Sequence, residues 1–337
     1  MPTADIARPT ALGDGLFQIR LPMRGNPLRW INGYLVAEAD GLTLVDCGWK
    51  ADDVLAALHE GLAAFGFTLA DVRRVLITHS HFDHYGLAGT LRRAGVPDVM
   101  MHARDWERVQ EIIKRRRETD ALENTYLVRN GYTPTETNEG PGSRAELTEP
   151  TRFLDDGERV GRLRAVWTPG HAPGHLCFAD ERSGKLLTGD HILDPITPHV
   201  GVWRDRSGDP LGDYVASLEK VAHVDASGAL PAHGEPFPDL HGRVAAIQEH
   251  TARREQLVLA IAGDAAVSAA EVAERLPWTR RERHFADLGG WHQEFAMSET
   301  IAHLVHLQRR GVMEREDRAD GAITYHAVRR GAAAIGG

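Results

Sequence analysis

Residues 76–89 read LITHSHFDHYGLAG, and within them His79, His81, Asp83 and His84 occupy four of six consecutive positions. The preceding residues, VRRVL from Val72, suit a short apolar strand, so the histidines sit where a strand gives way to a loop. Side chains leaving a strand end fan out around the turn. His79 and His81, two apart, can face one cation, and Asp83 and His84 can reach a second beside it. Neutral imidazoles with carboxylates suit a borderline-hard divalent ion such as zinc, iron or manganese. A histidine-rich turn is only moderately specific by itself. The reading depends on whether the rest of the chain supplies further ligands.

Three later stretches do so. TPGHAPGH (168–175) offers His171 after the apolar run LRAVW, with His175 four residues on. LLTGDH (186–191) places Asp190 after an apolar strand, where a carboxylate could bridge two ions. LPAHGEP (230–236) places His233 after another short strand. Each candidate is flanked by Gly or Pro, which permit sharp turns and close backbone approach.

The chain has 337 residues, 42% hydrophobic and 26% charged, which fits a globular protein of one large domain or a domain with an appendage. Its formal net charge of -9 gives phosphate backbones no bulk attraction. Two cysteines, Cys47 and Cys177, are too few for a disulfide framework or a thiolate zinc site, and both stand in apolar runs that suit core packing. The first residues lack a basic region followed by an apolar one, and no stretch approaches a membrane span. The expectation is a cytoplasmic protein with no membrane partner.

Strand patterns at 16–23 and 31–48 precede a helical pattern at 51–66. The strand into the histidines is followed by a helix at 86–95 and a strand at 97–103. This alternation implies an α/β layered core. A helix is expected over residues 104–118, with a basic run at 114–117 that suits a solvated face. Residues 119–150 read as a polar loop, long enough for a lid, carrying Tyr126 and Tyr132. Strands resume at 163–171, 175–180 and 185–193, with a helix at 212–224. A long helix at 241–263 leads to helices at 268–278 and 298–312 and a hairpin turning at Asp320–Gly321. Helix, helix and two-stranded wing suggest a winged-helix-like module. The expected division is a catalytic domain over 1–240 and a C-terminal module over 241–337. Residues 265–337 carry ten arginines and ten acids, so the module is not basic.

The ordered set THSHFDH, TPGHAPGH, LLTGDH and LPAHGEP resembles the metallo-β-lactamase superfamily, and within it the glyoxalase II-like and LACTB2-like hydrolases, over about residues 15–240. The resemblance implies an α/β fold, the αββα sandwich, with the site at one edge. It implies that His79, His81 and His171 bind one metal, that Asp83, His84 and His233 bind another, and that Asp190 bridges. Asp46, in VDCG, matches an aspartate that braces the metal loop in this fold. His175 matches a histidine standing behind the ligands in the glyoxalase II pattern, and with Asp83 it is the catalytic candidate. Asp190 stands where many true β-lactamases offer a cysteine, which argues against antibiotic hydrolysis.

Two divalent ions, zinc first and iron or manganese as alternatives, would give a bridging hydroxide near neutral pH. Asp83 can orient it and relay a proton. The expected reaction is hydrolysis of a small-molecule thioester, or of an ester or lactone. The alternatives are a LACTB2-like endoribonuclease, a sulfur dioxygenase, and a regulator with a vestigial hydrolase domain. No nucleic-acid partner is expected, and a homodimer through the tail is an open reading. The pocket walls are expected from residues 104–150 and 192–212, where His199, Trp203 and Arg204 could meet substrate.

Overall fold

The computed structural model describes residues 8–133, 146–202, 208–263, 265–279 and 281–328, without the side chains of residues 112 and 114–124. Alternating burial in LFQIRLP marks a strand with one face inward. This strand is β2 (Leu16–Pro22), paired antiparallel with the short β1 (Thr10–Gly13) and with β3 (Trp30–Glu38). β4 (Gly41–Val45) closes the antiparallel meander. From there the sheet turns parallel through β5 (Val72–Leu76), β6 (Asp98–Met101) and β7 (Arg152–Phe153). Parallel neighbours need crossovers. These are α1 (Asp52–Ala64), the pair α2 (Phe82–Tyr85) and α3 (Ala88–Arg93), and α4 (Ala103–Arg129).

The second sheet has five strands: β8 (Arg159–Val160), β9 (Leu163–Trp167), β10 (Leu176–Asp180), β11 (Lys185–Gly189) and β12 (Ala229–Pro231). All pair antiparallel except β11 with β12, whose connection contains α5 (Pro210–Ala222). The two sheets face each other through one apolar layer. Leu16, Tyr34, Val36, Val45 and Leu76 of the first meet Leu163, Leu176, Phe178, Leu187 and Leu230 of the second. On its other face the first sheet packs against Val54, Leu58 and Leu62 of α1 and Leu91 of α3. Sheet against sheet with helices outside is the layering expected from the sequence.

Three further helices and a hairpin follow: α6 (Leu240–Ala262), α7 (Ala269–Arg275), α8 (Gly290–Arg309), β13 (Met313–Asp317) and β14 (Ile323–Ala327). Ser268 and Glu271 form a reciprocal capping box at the start of α7. α8 begins earlier than the expected residue 298, because WHQEFAM adds a helical turn and more ahead of it. The chain divides into two compact units. One comprises 1–114, 139–198 and 217–245; the other comprises 115–138, 199–216 and 246–337.

One expectation fails locally. Residues 119–129, read as loop, continue α4. The stretch has no Gly or Pro before Gly131, it holds the helix formers Ala121, Leu122, Glu123, Leu127 and Arg129, and Tyr126 and Leu127 are buried. Residues 134–145 of the expected lid lie outside the described residues, as do Trp203, Arg204 and the side chains of the basic run 114–117. Among the described residues, no helix is long and apolar enough to cross a membrane.

Candidate metal centre

The two sheets end in loops that carry the candidate ligands. β5 runs into His79, His81, Asp83 and His84. Beyond β9 lies His171, at the end of β11 Asp190, and beyond β12 His233. His79 Nε2 lies 2.9 Å from His81 Nδ1 and 3.2 Å from His171 Nε2, and the latter two atoms are 3.0 Å apart. Across the site, His233 Nε2 is 3.3 Å and His84 Nε2 3.7 Å from Asp83 Oδ2. Asp190 lies between the trios. Its Oδ2 is 3.6 Å from both His171 Nε2 and His84 Nε2, and its Oδ1 is 3.5 Å from His233 Nε2. The seven residues named from the sequence are therefore brought to one place, each trio having all its donor atoms within 4.8 Å of one another.

Hydrogen-bond partners assign which ring nitrogen faces the site. His84 Nδ1 donates to Asp46 Oδ2 at 2.8 Å, which leaves Nε2 facing inward. Asp46 also accepts the Thr78 N–H and the Thr78 hydroxyl, both at 2.8 Å. Since that hydroxyl proton is spent on Asp46, the Thr78 oxygen accepts from His79 Nδ1 at 3.1 Å, and His79 Nε2 also faces inward. Asp46 holds this position with φ 57°, a left-handed conformation costly for most residues but tolerated by Asp. His233 Nδ1 donates to the Trp30 carbonyl at 3.2 Å. Its loop is pinned by Asn32 Nδ2, which donates to Pro231 O at 2.9 Å and Gly234 O at 2.8 Å.

His175 is fully buried. Its Nε2 accepts the Asp190 N–H at 3.1 Å, so Nδ1 carries the proton and donates to Thr168 Oγ1 at 2.8 Å. Nε2 thus holds the Asp190 backbone, while Nδ1 ties the ring to Thr168. Gly189 makes this possible: at φ 51°, a Cβ there would lie 2.6 Å from His175 Nε2.

The electrostatics fit a cation. Burial, reinforced by neighbouring imidazoles, holds His79 and His81 well below the usual histidine range, which keeps them as neutral donors. Burial opposes charge on His84 and His233, but Asp46, Asp83 and Asp190 outweigh it for His84, and Asp190 and Asp83 outweigh it for His233, so both are raised. Burial likewise opposes charge on Asp83 and Asp190, yet His84 and His233 hold both carboxyls below the usual range. The acids thus draw positive charge into a buried space. His84 Nε2, His233 Nε2 and Asp190 Oδ1 are buried there without a hydrogen-bond partner. Buried polar atoms with inward lone pairs and no donor are what a bound divalent cation would satisfy. The cysteines are not candidates for nucleophile or ligand: burial pushes the Cys177 thiol up to about 12 and raises Cys47 further.

The sequence did not point to Thr78, Asn32 or Asp105. Thr78 adjoins the histidine cluster, and its hydroxyl was a readable signal; Asn32 and Asp105 stand in no motif. Of the expected pocket residues, His199 has its Nε2 2.9 Å from Ser298 Oγ.

A family model described as the metallo-beta-lactamase superfamily matches residues 29–233, and one for the metallo-beta-lactamase-like C-terminal domain matches residues 257–328. The chain is 27% identical to a probable metallo-hydrolase, YqjP, of Bacillus subtilis, over 80% of this chain and 85% of that one. It is 30% identical to the lactamase-like protein adaB of Aspergillus niger, over 70% of this chain and 61% of the relative's length. A crystal structure of a metallo-beta-lactamase family protein from Thermus thermophilus superposes with a TM-score of 0.81 at 31% identity, covering 94% of this chain and 100% of that one.

Proposed function

The chain belongs to the metallo-β-lactamase superfamily, and from that premise we propose that it is a binuclear metal-dependent hydrolase of a small-molecule thioester, or of an ester or lactone. The observation that carries the reading is the Asp190 carboxylate, with one oxygen 3.6 Å from a nitrogen of each trio. With two trios of donors on either side of it, that carboxylate supports a reading with two ions rather than one. His79, His81 and His171 would hold one divalent ion, Asp83, His84 and His233 the other, and Asp190 would join them. Zinc suits this donor set best, with iron and manganese next.

When bound, the ion pair would supply a water acidic enough to ionise near neutral pH and a Lewis acid for the substrate carbonyl. The chain's own residues set the rest. Asp83 is the ligand carboxylate most open to solvent, with 21% of its side chain exposed against 11% for Asp190. It is the group able to orient the attacking water and to pass a proton to the leaving thiol or alcohol. Asp46 and Thr78 fix the His84 and His79 rings. His175 acts through Asp190, by holding its backbone amide, rather than by meeting substrate. A thioester comes first because a thiolate leaves readily, and the subgroup resemblance to glyoxalase II-like enzymes supports that order.

The test is elemental analysis of purified protein, with an acyl-CoA, a lactone and a short RNA assayed on the same sample. Two metal equivalents with thioester or lactone cleavage are expected. Cleavage of RNA alone would replace this reading with the nuclease one. One iron without hydrolysis would replace it with oxygen-dependent sulfur chemistry.

A further inference from the structure

Asp105 lies in the first turn of α4, is fully buried, and stands outside the ligand set. Its Oδ2 accepts the Ser80 N–H at 2.6 Å, and its Oδ1 accepts the Gly174 N–H at 2.7 Å. Ser80 lies between His79 and His81. Gly174 lies between His171 and His175. One carboxylate therefore ties together two loops from different sheets, the two that carry the three imidazoles of one trio. Residue 174 must be glycine for this approach: a Cβ there would sit 2.6 Å from Asp105 N and 3.0 Å from its Cβ and Cγ. A further backbone tie nearby, Leu176 N–H to Thr78 O at 2.8 Å, joins the strand ends and leaves the turn tips to Asp105.

We infer that Asp105 is a positioning residue of the metal centre, a carboxylate clamp on the Ser80 and Gly174 amides that sets His79 and His81 against His171. The inference rests on the reading of these histidines as metal ligands. Both bonds are charge-assisted and buried, the setting in which hydrogen bonds are strongest and a missing acceptor is most costly. They act on the backbone beside each ligand, so they fix where the imidazoles stand, while Thr78 fixes how the His79 ring turns. The second trio, Asp83, His84 and His233, does not include His171; Asp46 holds its His84 directly, and Asn32 pins its His233 loop.

Asp105→Asn keeps the shape of the side chain but gives one of the two amides a donor in place of an acceptor. The test is titration of metal-free protein with cobalt(II), read by equivalents bound and by the visible absorption of the bound ion. The variant is expected to fold like the parent and to bind one equivalent nearly as the parent does. The other should bind about 10- to 100-fold more weakly, with an altered band. Two equivalents bound by the variant with unchanged affinity and spectrum would overturn the clamp, as would equal weakening of both. A parent chain that binds fewer than two equivalents would instead remove the ligand reading beneath it. Should the variant fail to fold, the parent still decides. Its Ser80 and Gly174 amide protons should resonate downfield and exchange slowly, and rapid exchange at either would overturn the inference.

Discussion

His84 Nδ1 stands 2.8 Å from Asp46 Oδ2, and both side chains are buried. The contact decides which nitrogen of His84 looks into the centre, and it links one turn of chain to a residue 38 positions earlier. The same carboxylate holds Thr78, which in turn holds His79, so one aspartate orients a ligand from each trio.

Asp46→Asn isolates this effect, because Asn tolerates the left-handed backbone that Ala would strain. The variant should stay folded and lose about 10- to 100-fold in metal affinity. Metal titration beside a thermal melt checks it; unchanged affinity would show that the two rings are held by something else.

His81→Ala and Asp190→Ala each remove a donor that nothing nearby replaces. Hydrolysis should fall to background in both while the far-ultraviolet circular dichroism stays that of the parent. Full activity in either variant would refute the two-ion reading.

Gly189→Ala tests the support behind Asp190. The new methyl would meet His175 Nε2 at 2.6 Å and Thr78 Cβ at 2.9 Å, at a backbone φ of 51°. A cost of about 2 kcal/mol or more in stability is expected from the clash and the left-handed strain together. Metal affinity should fall with it. A urea unfolding curve like the parent's would mean that the turn yields more easily than its packing implies.

In the second unit, His303 of α8 is buried with Nδ1 lacking a hydrogen-bond partner. Burial first, then the charges of Arg254, His306 and His250, push its pKa down to about 3. The unfolded chain protonates this imidazole near about 6.5. The stability associated with His303 is therefore complete above that value and is lost as pH falls from there toward about 3, because only the unfolded state takes up the proton. The slope is at most about 1.4 kcal/mol per pH unit. Urea unfolding across this range should show a shallower acid decline in His303→Leu than in the parent; parallel declines would place the sensitivity elsewhere.

The candidate ligands were legible because His171, Asp190 and His233 lie at strand ends beside Gly, and because imidazoles at 79, 81 and 84 have few other reasons to cluster. The same strands implied a layered α/β core, and the family resemblance implied the sandwich. Asp105 was not, since an aspartate opening a helix is ordinary and only the folded chain brings Ser80 and Gly174 to its two oxygens. Residues 119–129 misled because their polar residues run into a Gly-, Pro- and Thr-rich stretch that suggested a loop, whereas Tyr126 and Leu127 are buried. The part of His175 could be read only as far as its nearness to the ligands. Its engagement by Asp190 and Thr168 depends on a left-handed glycine that sequence alone does not reveal.

Each trio draws two donors from the turn after β5 and one from loops of the opposite sheet, with His79 and His171 separated by 92 positions along the chain. Neither sheet by itself presents three donors of a trio to an ion. During folding, a bound cation would complete neither trio until the sheets have docked. It would act as a rivet set last, slowing the parting of the two sheets more than it hastens their meeting.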